Sequence, residues 1–476
     1  MTRLHDLTAL EQAAAIRSGE LSPLELTDHY LDRIERLNER VGAFVTVTAD
    51  RARRQAGEAA RRVQECAERR LLPPLHGVAV PVKDLSSVRG VRLTRGSAAC
   101  ADLVGSVDDA VVTRLRRAGT VLLGKTATPE FGLPCYTESA VAPPARTPWD
   151  PARSAGGSSG GAAAAVAAGL APVAHGSDGG GSIRIPASAC GLVGLKPTRG
   201  RISRGPLAPD LFGLVTDGPI ARTVRDAAAL LDVMHGPEPG DLYTAPPLPP
   251  GRRFLDYADI DPGRLRIART LVPPMLETTV HPDCVTAYEK TSALLEELGH
   301  HVEELPPVFG PQLAPDFALL WSVTAALTPV DPAREHLLQP LTRWLRDRGN
   351  AVGGPELLAA HARLQNAVRA ALPVLDRFDA ILTPTLAAPP APVGYFHDAE
   401  PAVNFERQNR FTPFCAVYNL SGQPAVTLPL HWNAAGLPIG VMLAGRLGGE
   451  GTLISLAAQL EAARPWRRRR PPIWDA

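Results

Sequence analysis

Leu75-His-Gly-Val-Ala-Val-Pro-Val-Lys-Asp84 is a short β-branched run that ends in charge, and it opens an alternation of strands and helices that decides the fold class. A helical pattern runs from Ser106 to Ala118, and Thr120-Val-Leu-Leu-Gly124 reads as a further strand. The alternation returns later. Gly161 to Ala174 is an Ala/Gly-rich helix leading into a strand, and strands are predicted at Ala380-Ile-Leu-Thr383, Ala425-Val-Thr-Leu428 and Ile439-Gly-Val-Met-Leu443. Apolar strands interleaved with helices predict an α/β fold: a mixed, mostly parallel central sheet covered by helices on both faces. Because both ends of the chain contribute strands, one large domain over residues 1–476 is expected.

Upstream of this run, residues 1–70 read as N-terminal helices. Thr8-Ala-Leu-Glu11 and Ser22-Pro23-Leu24-Glu25 have the form of capping boxes, the second with proline where a helix needs no N–H. In the second helix Leu26, Tyr30, Ile34 and Leu37 recur at helical spacing, which predicts one buried face. Residues 75–235 hold the densest motifs. Pro237 to Pro250 is rich in proline and glycine, an exposed connection that could serve as a boundary. Residues 311–375 are helical in composition and are read as a variable cap over the site.

Composition excludes several classes. The 476 residues are 45% hydrophobic, enough for a large core, and 50 Lys+Arg against 49 Asp+Glu leave a net charge of +1. No global attraction to nucleic acid or membrane results. Arg467-Arg-Arg-Arg470 is read as a solvated tail rather than a nucleic-acid site. Cys66, Cys100, Cys135, Cys190, Cys284 and Cys415 lie far apart, as expected of reduced thiols in a cytoplasmic protein. Met1-Thr2-Arg3-Leu4-His5-Asp6 lacks the apolar core of a signal peptide, and the Gly161–Ala174 stretch is shorter than the roughly 20 residues that span a bilayer.

Chemistry concentrates in two glycine turns that present serine: Ser154-Ala-Gly-Gly-Ser-Ser-Gly-Gly161 and His175-Gly-Ser-Asp-Gly-Gly-Gly-Ser-Ile-Arg-Ile-Pro-Ala-Ser188. Consecutive glycines let several N–H groups point into one concavity, which is what an oxyanion needs. Gly179, Gly180 and Gly181 are candidate donors, worth about 3–4 kcal/mol each. A serine nucleophile requires a base. None of the twelve histidines has an equally marked context, whereas Lys83 is carried by an apolar strand toward the interior. Burial lowers a lysine pKa and makes a neutral amine available, and Ser-Lys catalysis is an accepted variant of the triad.

These residues resemble the amidase signature family, with its Gly-Gly-Ser-Ser-Gly-Gly loop, its downstream Gly-Ser-Ile-Arg-Ile-Pro turn and its upstream lysine, all present in order. The similarity continues through Gly124-Lys-Thr126, Gly191-Leu-Val-Gly-Leu-Lys-Pro-Thr-Arg-Gly200, Leu382-Thr-Pro-Thr385 and Asn419-Leu-Ser-Gly-Gln-Pro-Ala425. Ala174-His-Gly176 and Arg184-Ile-Pro-Ala-Ser188 are similar in wording to the members that hydrolyse a cyclic nylon-oligomer dimer. The resemblance implies Ser182 as nucleophile, Ser158 as the cis-serine and Lys83 as base, with an acyl-enzyme on Ser182 and neither metal nor cofactor. The partner it implies is a small-molecule amide, and the assembly considered for the chain is a homodimer. Gly179, Ala162, Pro143 and Thr147 depart from the family pattern, so the substrate does not transfer; the loop Phe131 to Trp149 is expected to border the pocket.

Asp178 and Arg184 are read as a loop-bracing ion pair, Ser159 as a supporting hydrogen bonder, and Lys125 and Lys196 as structural. Gly156-x-Ser158-x-Gly160 also fits a nucleophile elbow, but a turn-like stretch rather than a strand precedes it. Three functional alternatives stand beside an amidase acting alone: the glutamine-hydrolysing subunit of an amidotransferase, an acyltransferase that captures the acyl group with an amine, and an inactive scaffold. Arg410-Phe-Thr-Pro-Phe414 lacks the acidic residue that usually accompanies the amidotransferase subunit. Intact Lys83, Ser158 and Ser182 weigh against a scaffold.

Overall fold

The structure is a computed structural model and describes residues 3–207 and 211–476. Thr8 caps the helix Ala9–Ser18 in a full reciprocal box with Glu11. The next helix, Pro23–Val41, is capped by Ser22 alone: its hydroxyl accepts the Leu24 N–H, and Glu25 does not complete the predicted box. Leu26, Tyr30, Ile34 and Leu37 form its buried face. No helix among the described residues is long and apolar enough to cross a membrane.

The strands, in chain order, are Phe44–Val47 (β1), Val82–Lys83 (β2), Gly124–Thr126 (β3), Val173–Asp178 (β4), Val193–Lys196 (β5), Thr216–Ala221 (β6), Arg266–Arg269 (β7), His301–Glu304 (β8), Ala380–Pro384 (β9), Ala425–Trp432 (β10) and Pro438–Gly445 (β11). The large sheet has eight strands in the order β4-β6-β5-β10-β11-β9-β7-β8. It is mixed, with helices on both faces, but it is not mostly parallel. Only β9–β7 and β7–β8 pair in parallel, against five antiparallel pairings. The crossover from β4 through the helix Arg184–Cys190 to β5 does leave those two strands pointing the same way, yet β6 inserts antiparallel between them. At the other end β10 and β11 form a hairpin whose turn is braced by Asn433 Oδ1 accepting from the Ala435 and Leu437 N–H groups.

The Leu75–Asp84 run does not enter this sheet. Its end, β2, belongs to a separate three-stranded sheet ordered β1-β3-β2, in which Val82 pairs with Lys125 and Lys83 with Thr126. The strand predicted at 120–124 lies slightly later, as β3, with Val121 in an isolated bridge to Ala79. The small sheet abuts the edge of the large one: the His175 N–H donates to Pro81 O (3.1 Å). Between the two sheets runs the helix Gly160–Ala167, buried at every residue. Only small side chains fit there, since a Cβ on Gly161 would stand 2.4 Å from Ala127 N and 2.5 Å from Ala43 O.

Residues 237–250 carry no helix or strand, but β6 before them and β7 after them share one sheet, so no domain boundary falls there. The 311–375 segment contains the helices Leu313–Leu327, Pro340–Asn350 and Gly354–Leu375, which pack on one another and on the helix Pro401–Phe411. The arginines near the C-terminus are not a free solvated tail. Arg467 pairs with Glu11, Arg470 with Asp6, and Arg469 lies 4.8 Å over the Trp432 ring. The neighbouring tryptophan, Trp474, is buried and offers its indole N–H to Asp6 (2.9 Å).

Candidate active site

β2 ends in Lys83, which is fully buried because the helix Gly160–Ala167 and β4 close over the small sheet. Its Nζ donates to Ser158 Oγ at 2.8 Å and to Ser177 O at 3.2 Å. Burial is the largest influence on this ammonium and pushes it down to about 7, against the opposing pull of Asp178 and then Asp217. Ser158 comes after a cis peptide from Gly157 and sits just ahead of the Gly160–Ala167 helix; no strand leads into it, so the elbow arrangement is absent. The turn containing Gly132 passes over it, a Cβ on Gly132 lying 3.3 Å from Ser158 Oγ. Ser159 accepts the Ser177 N–H, donates to Ser177 O, and through its own N–H reaches Ser182 O (3.1 Å), tying the two glycine turns together.

The second turn, between β4 and the helix Arg184–Cys190, is organised by Asp178. Its Oδ1 accepts the Gly181 N–H (2.8 Å) and its Oδ2 the Ile183 N–H (3.1 Å), while Arg184 binds both oxygens at 2.9 Å. Asn419 reaches the same carboxylate, and Arg184 continues to Cys415 O and Asn419 Oδ1. Burial alone would raise the Asp178 carboxyl, but Arg184, Lys196 and Asn419 outweigh it and hold the group well below the usual carboxylate range. The Gly181 N–H is thereby occupied. Among the described residues the N–H groups of Gly179, Gly180 and Ser182 have no protein acceptor. Gly181, at φ +129°, has no room for a side chain: a Cβ would stand 2.7 Å from Ile185 Cδ1 and 2.8 Å from Cys415 Cβ.

Ser182 and Gly180 line a cleft whose walls are Leu133, Cys135, Met275, Phe317, Trp321 and Phe405. Its polar lining consists of Gln408, Asn409, Thr412 and Ser182, and none of the lining side chains is charged. Gln408 is occupied, accepting from Cys135 N and donating to Asn404. A larger open cavity bordered by Arg117, Arg204, Asp241 and Tyr243 holds none of Lys83, Ser158 or Ser182, whereas Ser182 lines the smaller cleft. Lys125 pairs with Asp84 (2.8 Å) and Lys196 donates to Pro197 O (2.9 Å), both buried away from the cleft.

Matched against proteins of known family, residues 25–454 fit the amidase family. The chain belongs to the amidase family. It is 36% identical to the 6-aminohexanoate-cyclic-dimer hydrolase of Paenarthrobacter ureafaciens, covering 98% of this chain and 96% of that one. It is 35% identical to an acylamidase of Rhodococcus erythropolis, over 98% of each. A solved structure of 6-aminohexanoate cyclic dimer hydrolase superposes with a TM-score of 0.92 at 33% identity, covering 99% of this chain and all of the other. The protein is thus an amidohydrolase of this family.

The structure brings Lys83 into direct contact with Ser158, ties Ser159 to Ser182 through its N–H, and places Ser182, Asp178 and Arg184 on the adjoining turn. Sequence reading placed a cap over the site at 311–375 without naming Phe317 or Trp321, which look like ordinary core residues, and it passed over Asn409, whose polar neighbours gave no sign of a cleft. It also passed over His175 and Asp217. The one signal for them was a histidine set inside the motif strand, in Ala174-His-Gly176.

Proposed function

We propose that the enzyme hydrolyses an uncharged, small carboxamide through an acyl-Ser182 intermediate. The observation that carries this reading is the 2.8 Å contact from fully buried Lys83 to Ser158, with the lysine brought to about 7 by that burial. Neutral Lys83 takes the Ser158 proton as Ser158 takes that of Ser182, and Ser182 Oγ adds to the amide carbonyl. The oxyanion is received by the N–H groups of Gly179, Gly180 and Ser182; that of Gly181 braces the turn instead. As the C–N bond breaks, the proton returns through Ser158 to the leaving amine. Water then attacks the ester, losing its proton to the same relay, and Ser182 is regenerated with release of the acid.

The apolar, uncharged lining supports a neutral acyl group, cyclic or peptide-like in size, and the names of the two relatives agree with amide substrates of that kind. In this reading the 311–375 helices cap the cleft, through Phe317 and Trp321. A cytoplasmic setting is supported by six unpaired cysteines.

Intact-protein mass spectrometry after exposure to a fluorophosphonate tests the assignment. One adduct is expected on the wild type, absent in Ser182→Ala and formed far more slowly in Ser158→Ala and Lys83→Ala. An adduct that survives Ser182→Ala in a folded protein would remove Ser182 as nucleophile.

A further inference from the structure

Beside the Lys83 backbone lies a second pair of polar side chains. The Lys83 backbone N–H donates to His175 Nδ1 at 3.3 Å, so the ring proton resides on Nε2. That nitrogen stands 3.2 Å from Asp217 Oδ1. Neither atom makes a hydrogen bond to any described residue, so the pair is a close polar contact inside the protein. His175 on β4 and Asp217 on β6 project from the same sheet face, because Ser177 is the register partner of Asp217 and His175 lies two residues along. Both side chains are buried.

We propose that Asp217, held in place by His175, is the counter-ion of Lys83 during turnover. The inference rests on Lys83 acting as base: each time it takes the proton of Ser158 an ammonium forms inside the protein, where a preorganised anion stabilises it more than water would. The other carboxylates near Lys83 are already committed. Asp178 is clasped by the Arg184 fork and two backbone N–H groups. Asp84, next in sequence, is neutralised by Lys125 across the strand pair. Asp109 also faces Asp217, His175 and Arg204, but burial raises its carboxyl to about 6 and weakens its charge near neutrality. Asp217 is opposed by burial, yet its contact with His175 and the charges of Arg204 and Lys83 bring its carboxyl below the ordinary range, so it is ionised. Its arginine neighbour among the described residues, Arg204, is looser than the Asp178 partner, at 3.8 Å and a quarter exposed. Asp217 and His175 are positioning residues, since neither touches Ser158 or Ser182.

The test is the rate of fluorophosphonate labelling of Ser182 as a function of pH, in wild type, Asp217→Asn, Asp217→Glu, Arg204→Met and Lys83→Ala. Removing the Asp217 charge disfavours the ammonium, so the acidic limb moves to lower pH by about one unit, with Glu restoring most of it. Removing the Arg204 charge strengthens Asp217 and moves the limb the opposite way. A packing defect would not yield shifts of opposite sign. Should Asp217→Asn fail to fold, as judged by its melting curve, Asp217→Ser, which removes the same charge, takes its place, because Arg204 also acts on Lys83 directly. Limbs unmoved in the folded variants, with Lys83→Ala inert, would overturn the counter-ion role and leave Lys83 as base. A Lys83→Ala enzyme labelled at the wild-type rate would remove both.

Discussion

Lys83 and Lys196 are both buried and both pushed by burial to about 7, yet only Lys83 has a hydroxyl to exchange protons with. Lys196 ends on a carbonyl oxygen, which can only accept. A depressed lysine is therefore not enough to mark a base; the contact to Ser158 is the discriminating feature. Lys83→Met is expected to lower kcat/KM about 10³-fold or more while Lys196→Met leaves it near the wild-type value. Because Lys83 works as the neutral amine, the wild-type rate should rise with pH through about 7 and level off above it; a profile flat from pH 5 to 9 would contradict the assignment. Asp178 makes a different prediction. Its carboxyl is depressed in the fold from an ordinary 3.8, so the stability it supplies is fully present above that value and is lost as pH falls below it. Asp178→Asn strands the buried Arg184 charge and should cost about 3–5 kcal/mol in urea unfolding at pH 7, with a flatter loss of stability in acid.

At the scale of elements, the site depends on two helices with opposite demands. The Gly160–Ala167 helix must be thin, because it separates two sheets and carries the Ser158–Ser159 turn at its start; its glycines and alanines are a packing requirement that sequence composition already displays. The helix Leu313–Leu327 must instead be bulky on one face. Phe317 and Trp321 stack with ring centroids 5.6 Å apart and wall the cleft, and a Cβ on Gly179 would stand 3.1 Å from Val215 Cγ2 and 3.4 Å from the Trp321 ring. The departure at Gly179 is thus matched by Val215, with the ring beside it, in the adjacent space. Trp321→Ala is expected to favour amides with larger acyl groups over small ones by about tenfold in the ratio of kcat/KM values. A ratio unchanged across an acyl series would mean that the ring does not meet the substrate.

Across the whole molecule, the chain ends are joined. Arg33 donates to Ala168 O and Trp474 O, and Trp474 is bonded to Asp6, so the N-terminal helices, the central helix and the last residues form one unit. Trp474→Ala should cost about 3–5 kcal/mol, seen as a lower melting temperature, while leaving the labelling of Ser182 intact. Loss of labelling without loss of stability would instead tie the C-terminus to the site.

The chain alone determined its class, the two glycine turns, the buried lysine and the strands read at 380–383, 425–428 and 439–443, which the structure extends by one to four residues, because each rests on short-range chemistry: β-branched runs, helical spacing, or glycines where backbone must approach backbone. It also carried the Asp178–Arg184 pair, whose members are close in sequence. Strand direction was not legible there, since the insertion of β6 between β4 and β5 depends on pairings between distant segments that leave no local periodicity. The same reason hid the capture of the Gly181 N–H by Asp178, the aromatic wall supplied from Leu313–Leu327, and the Asp217–His175 contact behind Lys83. Each is a meeting of side chains whose individual environments look ordinary, and only the tertiary structure decides which ordinary residues become neighbours.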